Sequence, residues 1–425
     1  MIWLISGALL LLAALGAPLF ALIAAIALFG FNASGQQGTA VAIEFYRLSD
    51  MPALIAIPLF TLAGYLLAES HAPRRLVRLT NALFGWLPGG LAIVSICACA
   101  FFTAFTGATG VTLVALGAVL YPALRHAQYD ERFSLGLLTA SGSLGLLLAP
   151  SMPLILYGVV AQQFHTTPPV AIDALFKAGL LPSLLMIVLL SLYSAWQARN
   201  VPRPPPIAAG EVWAAIKDAA WELPLPFVIL IGIYAHFLAP SEAAAATTLY
   251  VLIVTVLIRR EIKFAELPRV IREAMLLVGA ILIVLGFSLA LTNWLIDADV
   301  PEALFAQLQA GIASKLGFLL VLNAFLLVFG MLLEGFPAII ILVPLVLPIA
   351  IHYGVDPIHL GIIFLANLQI GIFLPPAGMN LFIASARFGR PATTIIRACL
   401  PFYAILLACV LIVTYWPDLS LALVR

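Results

Sequence analysis

Hydroxyls and backbone groups set inside apolar stretches are the parts of this chain whose type and spacing could do chemistry. Phe105-Thr106-Gly107-Ala108-Thr109-Gly110 interrupts one such stretch, and Ser141 and Ser143 precede a second interruption at Leu148-Ala149-Pro150-Ser151-Met152-Pro153. Phe373-Leu374-Pro375-Pro376-Ala377-Gly378-Met379-Asn380 marks a third. Proline cannot donate from its backbone nitrogen, so each proline pair frees carbonyls from helical pairing. Those carbonyls and the hydroxyls of Thr106, Thr109, Ser141, Ser143 and Ser151 form hard-oxygen sets suited to a small alkali cation. Helix restarts at Thr109–Val111 and Gly378–Asn380 present amides and positive dipole ends, which suit a carboxylate. A fourth interruption, Leu333-Glu334-Gly335-Phe336-Pro337, carries the one carboxylate at apparent membrane depth, Glu334. An ionisable group there reads as functional, a proton carrier for instance, with a hairpin-tip cap met by local amides as the plainer reading.

Plainer readings stand beside the others as well. Serine and threonine in apolar helices often bond back to their own helix, and Asn367, Gln369 and Asn380 could join helices to one another. His71, His126, His165, His352 and His359 fall at or near loops and read as surface residues, while His236 lies near a helix end without a partner. Cys97, Cys99, Cys399 and Cys409 sit in apolar stretches without ligand-spaced partners, which makes them packing residues. Pro240-Ser241-Glu242, followed by Ala243 to Ala246, reads as an N-capped helix start. No nucleophile with a base, no carboxylate pair and no metal cluster lies at membrane depth, which argues against an embedded enzyme. No ring of charge suggests a channel. Phosphate-binding glycine motifs are missing and the net charge is only +1, so neither ATP drive nor nucleic acid is indicated. An ion gradient is the simplest energy source, and the chain calls for no bound cofactor.

The elements that must position these groups follow from composition. With 64% hydrophobic and 9% charged residues the chain belongs in a lipid bilayer, and recurrent stretches of about 20 apolar residues without period-2 alternation predict membrane helices. The fold class is all-α, a polytopic membrane protein. The run from Ile2 to Phe31 reads as a retained membrane helix. Most Lys and Arg fall in five clusters, at 74–78, 125–132, 199–217, 259–272 and 387–397, which are predicted to face the cytoplasm. Residues 89–125 are flanked by such clusters on both sides, so they enter and leave on one face; residues 316–352 do so from the other. Arms of about 15 to 17 residues, roughly 25 Å at the helical rise, predict two re-entrant hairpins. Each is followed by a broken helix, at 133–163 and 358–386. A shift of 226 residues superposes Pro122 on Pro348, His126 on His352, Asp130 on Asp356, Gly145 on Gly371 and Pro150 on Pro376, the mark of inverted repeats. The predicted organisation is an N-terminal scaffold segment over 1–50, a first repeat over 51–198, connector and scaffold helices over 199–274, and a second repeat over 275–425. Arg199 to Glu222 and a basic amphipathic helix from Arg259 to Glu273 are expected on the membrane surface.

Several segments in order, Ile57-Pro58-Leu59-Phe60, Pro240-Ser241-Glu242-Ala243-Ala244-Ala245, Gly330-Met331-Leu332-Leu333-Glu334 with Pro337 to Leu342, and Pro375-Pro376-Ala377-Gly378-Met379-Asn380-Leu381-Phe382, carry a family likeness. The chain resembles the large membrane subunit of tripartite ATP-independent periplasmic (TRAP) transporters over nearly its whole length. That resemblance implies a bacterial inner-membrane elevator that imports organic acids, such as a C4-dicarboxylate or sugar acid, with sodium. It also implies a small four-helix membrane subunit and a periplasmic substrate-binding protein as partners. Carried over by position, a first sodium site involves Thr106, Gly107 and the tip to Gly110 with Ser141, Ser143 and Pro150. A second involves Glu334, Gly335, Leu374, Pro376 and Gly378. Substrate contacts are expected at Thr109, Ser151, Gly335 and Asn380. Two departures stand out: the first tip reads Thr-Gly-Ala-Thr-Gly where the family usually has Ser-Gly-Ser and then Asp, and Leu374 replaces a common Thr. The second change removes a hydroxyl ligand and leaves proton coupling through Glu334 as the alternative.

Overall fold

A computed structural model describes residues 11–12, 15–164, 166, 169–201, 209–235, 237–312, 314–333 and 335–424. Glu334, His165, His236 and the proline run 202–206 lie outside the described residues. Every regular element described is helical. We number them α1 Leu19–Ala33, α2 Thr39–Tyr46, α3 Ala56–Glu69, α4 Ala72–Phe84, α5 Gly90–Thr106, α6 Thr109–His126, α7 Glu131–Ser141, α8 Met152–Gln162, α9 Ile172–Gln197 and α10 Ala209–Asp218. The second part holds α11 Pro224–Tyr234, α12 Pro240–Leu252, α13 Leu267–Asp297, α14 Val300–Gly311, α15 Lys315–Leu332, α16 Gly335–His352, α17 Pro357–Gly371, α18 Met379–Phe388, α19 Ala392–Tyr415 and α20 Asp418–Leu421. By length and composition, seven helices among the described residues could cross a membrane, or eight if α7 and α8, bent by 42° at their break, count as one.

The internal repeat is legible in the helix bounds. A shift of 226 residues carries α6 onto α16 end for end, puts the last residue of α5 on the last of α15, and starts α17 where α7 would start. Asp130 and Asp356, matched by the same shift, both cap the helix that follows: Asp130 accepts from the Phe133 amide at 3.1 Å, and Asp356 from those of Ile358 and His359 at 2.8 and 3.2 Å. Both proline breaks hold a cis bond, Ala149–Pro150 and Pro375–Pro376. Gly145 and Gly371 also serve alike. A Cβ on Gly145 would sit 2.3 Å from the Ala100 carbonyl of α5, and one on Gly371 would sit 2.6 Å from the Gly330 carbonyl carbon of α15. In each repeat, then, the broken helix lies against the first arm of its own hairpin with backbone touching backbone.

Second arms are exchanged between the repeats. The α6 arm packs on α18, and its counterpart α16 packs on α8; likewise α7 lies against α19 and α17 against α9. A Cβ on Gly361 of α17 would meet the Tyr157 ring of α8 at 2.6 Å, and the Tyr157 hydroxyl donates to the Pro357 carbonyl at 2.6 Å. Around this interlocked body, α3 packs on α12 and α13, and α13 on α1 and α2. Polar contacts sort onto two ends. At one, Arg75 of α4 is buried against Glu222 at 2.5 Å and against Glu261, Arg78 meets Asp218 at 3.1 Å, Arg269 meets Glu69 at 2.9 Å and Arg390 meets Glu131 at 2.6 Å. At the other, Lys315 donates to the Gly354 carbonyl at 2.6 Å and closes the base of the second hairpin. The first, cation-rich end is cytoplasmic by the distribution of positive charge.

Three sequence expectations change. The N-terminal run is not one helix, because Gly16, at φ +82°, and Pro18 stop the chain before α1 begins. Arg259 to Glu273 is not a separate surface helix: a π-helical turn over 253–258 ends at Arg259, and nothing between Leu267 and Asp297 breaks the helix that starts there, so residues 267–273 are the first two turns of α13. The capped helix start at Pro240 stands as expected: α12 begins there, and the Glu242 carboxylate accepts the Ala239 amide at 2.8 Å. His359 is no surface residue: it is 1% exposed, and its ring meets the Ser420 hydroxyl at 2.6 Å and the Thr414 carbonyl at 3.3 Å. A helix start that faces the neighbouring bundle buries its first turn, which loop proximity in sequence does not reveal.

Candidate functional site

Gly107 makes the first hairpin tip. Its φ of +62° ends α5 in a conformation that side chains rarely adopt, and a Cβ there would strike the Met152 side chain at 2.5 Å. The chain reverses and α6 starts at Thr109 with the amides of Thr109, Gly110 and Val111 finding no backbone acceptor. On the second repeat, α18 starts at Met379 after the turn Phe373–Gly378. The two restarts meet: the Thr109 hydroxyl donates to Asn380 Oδ1 at 3.0 Å. Asn380 is 1% exposed and its Nδ2 has no hydrogen-bond partner among the described residues, so a buried donor is left for something else to accept. The amides at this second restart are less available than the sequence suggests. Gly378 donates to the Leu374 carbonyl at 2.9 Å and Asn380 to that of Ile372 at 3.0 Å, because the tight turn folds back on itself.

Hydroxyls cluster behind the first tip. Thr103 donates to the Gly142 carbonyl at 2.9 Å, its oxygen lies 2.8 Å from the Thr112 hydroxyl, from which it can accept, and the hydroxyls of Thr106 and Thr112 lie 3.3 Å apart. Ser141 is fully buried and its Oγ has no partner among the described residues. Ser143 donates to the Ala140 carbonyl at 3.2 Å and keeps its lone pairs. The structure thus brings Thr106 and the segment Ser141–Ser143 to one polar knot, and adds Thr103 and Thr112. The sequence reading passed over those two because they sit three residues inside their helices, away from the interruption; their spacing to Thr106, three before and six after, was the available signal. Pro150 is buried at the break itself. Ser151 is spent on structure: it donates to the Leu146 carbonyl at 2.5 Å and caps α8 through the Leu154 amide at 3.4 Å.

The turn of the second repeat offers less to a cation. No hydroxyl lies between Leu374 and Gly378, the Phe373 carbonyl accepts from the Tyr403 hydroxyl, and Leu374's carbonyl is taken by Gly378. Pro376 is exposed, and Gly335 stands at the start of α16. Asn367 donates to the Asn323 side chain at 2.6 Å and Gln369 to the Met186 sulfur at 3.4 Å, so their amide nitrogens join helices, while the side-chain oxygens of both are buried without a partner among the described residues.

A cavity of about 710 Å³ opens at this meeting of elements. Gly107, Thr109, Gly335 and Asn380 line it with Leu146, Pro153, Phe336 and Leu368, and it extends to Glu69, Glu273 and Arg387 at the cation-rich end. Ser151 does not line it. Among the described residues no cluster of His, Cys, Asp and Glu could hold a metal ion.

An all-helical body among the described residues, with two inverted repeats that each carry a hairpin and a broken helix around a shared cavity, defines a multi-pass membrane transport protein. Residues 6–419 match the model of the DctM component of the tripartite ATP-independent periplasmic transporter, and the chain belongs to that family. It is 34% identical to the C4-dicarboxylate TRAP transporter large permease protein of Pseudomonas aeruginosa, over 90% of this chain and 88% of that one. It is 30% identical to the namesake from Rhodobacter capsulatus over 95% and 98%. The ectoine TRAP transporter large permease of Halomonas elongata is also 30% identical, over 96% and 95%. The crystal structure of the YdaH transporter of Alcanivorax borkumensis shares the fold at a TM-score of 0.66 and 16% identity, over 91% of this chain and 89% of that one. The chain is therefore a permease subunit of the inner membrane, not an enzyme.

Proposed function

We propose that this chain takes up a small organic acid across the inner membrane by sodium-coupled secondary transport, with substrate handed over by a periplasmic binding protein and with a small four-helix membrane subunit as partner. The observation that carries this reading is the junction of Thr109 and Asn380 in the cavity, where, among the described residues, an amide donor and three neighbouring backbone N–H groups have no acceptor, backed by the buried Ser141 oxygen that has no partner among them either. Donors face the acid and lone pairs face the cation. Among relatives, those named for C4-dicarboxylate and for isethionate transport support an anionic substrate, and the isethionate protein of Oleidesulfovibrio alaskensis is a single DctMQ permease, 33% identical, of which this chain spans 59%. That fusion supports a small-subunit partner. The interlocked repeats packed against α3, α12 and α13 support movement of one body past a scaffold, the elevator form of alternating access.

The test uses the whole transporter in liposomes, this chain with its small subunit and binding protein. Labelled acid that stabilises the binding protein against heat is added outside under an inward sodium gradient. Uptake should follow the sodium gradient and stop when choline replaces sodium. Uptake driven by a proton gradient alone would transfer the coupling role to Glu334 and end the sodium reading.

A further inference from the structure

A separate cavity, of about 620 Å³, lies away from the hairpin tips. Asn81 of α4, Gly90 of α5, His126 at the end of α6, Gln128 in the turn that follows and Arg199 just past α9 line it. Two of the five cation clusters, 125–132 and 199–217, thus meet at this cavity, which sets it at the cytoplasmic end. No Asp or Glu is among its described lining residues. The neighbouring acid, Asp130, is engaged with the Phe133 amide at 3.1 Å, and Arg125 adds positive charge by donating to the carbonyl of Tyr129, a lining residue, at 2.6 Å. Arg199 has no carboxylate partner among the described residues, and its guanidinium lies over the Trp196 ring, 5.2 Å from the centroid. Gly89, at φ +73°, turns the chain into α5 so close to α9 that a Cβ there would sit 3.0 Å from the Ser194 carbonyl. Trp86 in the turn before α5 and Trp196 at the end of α9 are both exposed, as indole rings are at a membrane–water boundary. From Trp196 an exposed apolar stripe, Leu192, Val188 and Leu184, runs down α9 away from the cavity at four-residue spacing.

We infer that this cavity is a headgroup site for an anionic phospholipid of the cytoplasmic leaflet, with the phosphate beside Arg199 and His126 and the acyl chains along the stripe from Trp196 to Leu184. Cations brought together without a counter-charge repel one another, and a phosphate relieves that repulsion while pairing with the guanidinium fork. Basic pockets between helices on the cytoplasmic side suit such headgroups. A zwitterionic headgroup brings its own cation, for which the cavity offers no carboxylate. The exposed tryptophans and the apolar stripe beside the cavity favour a lipid over a soluble phosphate. A headgroup seated there touches α4, which Arg75 ties to the linkers, and α5, the first arm of the first hairpin. The site is independent of the transport reading, of its substrate and of its coupling ion.

The experiment counts bound lipid. The purified full chain in detergent micelles is titrated with dioleoyl phosphatidylglycerol or with phosphatidylcholine of the same acyl chains, and native mass spectrometry reads occupancy by the first lipid. Phosphatidylglycerol should bind roughly five- to tenfold more tightly, and Arg199→Gln should bring the two lipids level. Arg199→Lys, which keeps the charge without the fork, should retain part of the preference and guards against a variant that merely misfolds. Ala195→Phe fills the cavity, leaves every charge in place and should abolish the preference as well. Arg272→Gln removes a cation at the same end but outside the cavity, and should change nothing. Equal binding of the two lipids by the wild-type chain, or an unchanged preference in Arg199→Gln or Ala195→Phe, would overturn the site. An equal loss in Arg272→Gln would do so too, since it would reduce the site to a diffuse field of charge. Displacement of the bound phosphatidylglycerol by millimolar glycerol phosphate would overturn the lipid assignment in favour of a soluble phosphate ester, whereas a lipid that stays bound supports it.

Discussion

Ser141 and Asn380 are both buried polar side chains with an unpaired atom, and the sign of what each lacks differs. Ser141 holds an oxygen without a partner among the described residues, one residue before the Gly142 carbonyl that accepts from Thr103, and Asn380 holds an N–H₂ donor at the cavity wall. A buried polar group without a partner costs on the order of 1–3 kcal/mol, so each site is less stable empty than filled. Ser141→Ala keeps the volume nearly unchanged and removes only the oxygen. It should raise the sodium concentration for half-maximal uptake by roughly tenfold, the worth of one lost ligand bond, while the unfolding temperature in the absence of sodium stays level or rises. A large drop in sodium-free stability would mean that Ser141 is bonded within the protein, and the cation reading of this residue would go.

Elements fix where these atoms point, and the first hairpin tip turns on one residue. Gly107→Ala places a side chain in left-handed backbone at a cost of about 1–2 kcal/mol and drives a methyl into Met152. Thr109 moves with the tip, so uptake should fall several-fold even where the protein still folds; normal transport by this variant would show that tip geometry does not matter. How much of this could be read from the chain alone divides along physical lines. Both hairpins, both broken helices and the repeat offset are local patterns of Gly, Pro and Asp against an apolar background, and each such residue acts on the backbone where it stands. The family likeness followed from the same segments. Contacts across the repeats are another matter. That Asn380 would meet Thr109, that Arg387 would border the cavity and that His359 would be buried depend on packing of helices far apart in sequence, and Leu-rich surfaces do not encode a register. Thr103 and Thr112 were missed for the same reason, since a threonine inside a helix looks like any back-bonded one until another element arrives beside it.

Across the whole molecule, α4 is tied down by charge. Arg75 is 6% exposed and bonds Glu222 and Glu261, which belong to the two linkers at the cation-rich end. Burial pushes the Glu261 carboxyl up, yet the Arg75 guanidinium and the His71 amide outweigh it and hold the pKa below the ordinary 4.5. A lowered pKa means that this contribution is fully present above that ordinary value and is lost as pH falls through the lower, folded one. Thermal stability of the purified chain should therefore be level with respect to this group from neutral pH down to about 5 and fall below about 4, with a smaller acid-dependent fall in Glu261→Gln. Arg75→Ala leaves two carboxylates facing each other in a buried site and should cost about 3–5 kcal/mol in unfolding measurements. A loss under about 1 kcal/mol would show the trio to be as weak as a surface pair.

The exchange of second arms between repeats has a consequence for biogenesis. The α6 arm leaves the ribosome about 270 residues before α18, the helix that covers it, and α8 likewise waits for α16. Until translation is nearly finished, the face of α6 and the hairpin tip that α18 will cover stay open, although α5 and α6 already have neighbours within their own repeat. Insertion machinery or lipid must shelter that face during that interval, and a ribosome stalled between the two halves would expose an assembly intermediate suited to capture by a membrane protease.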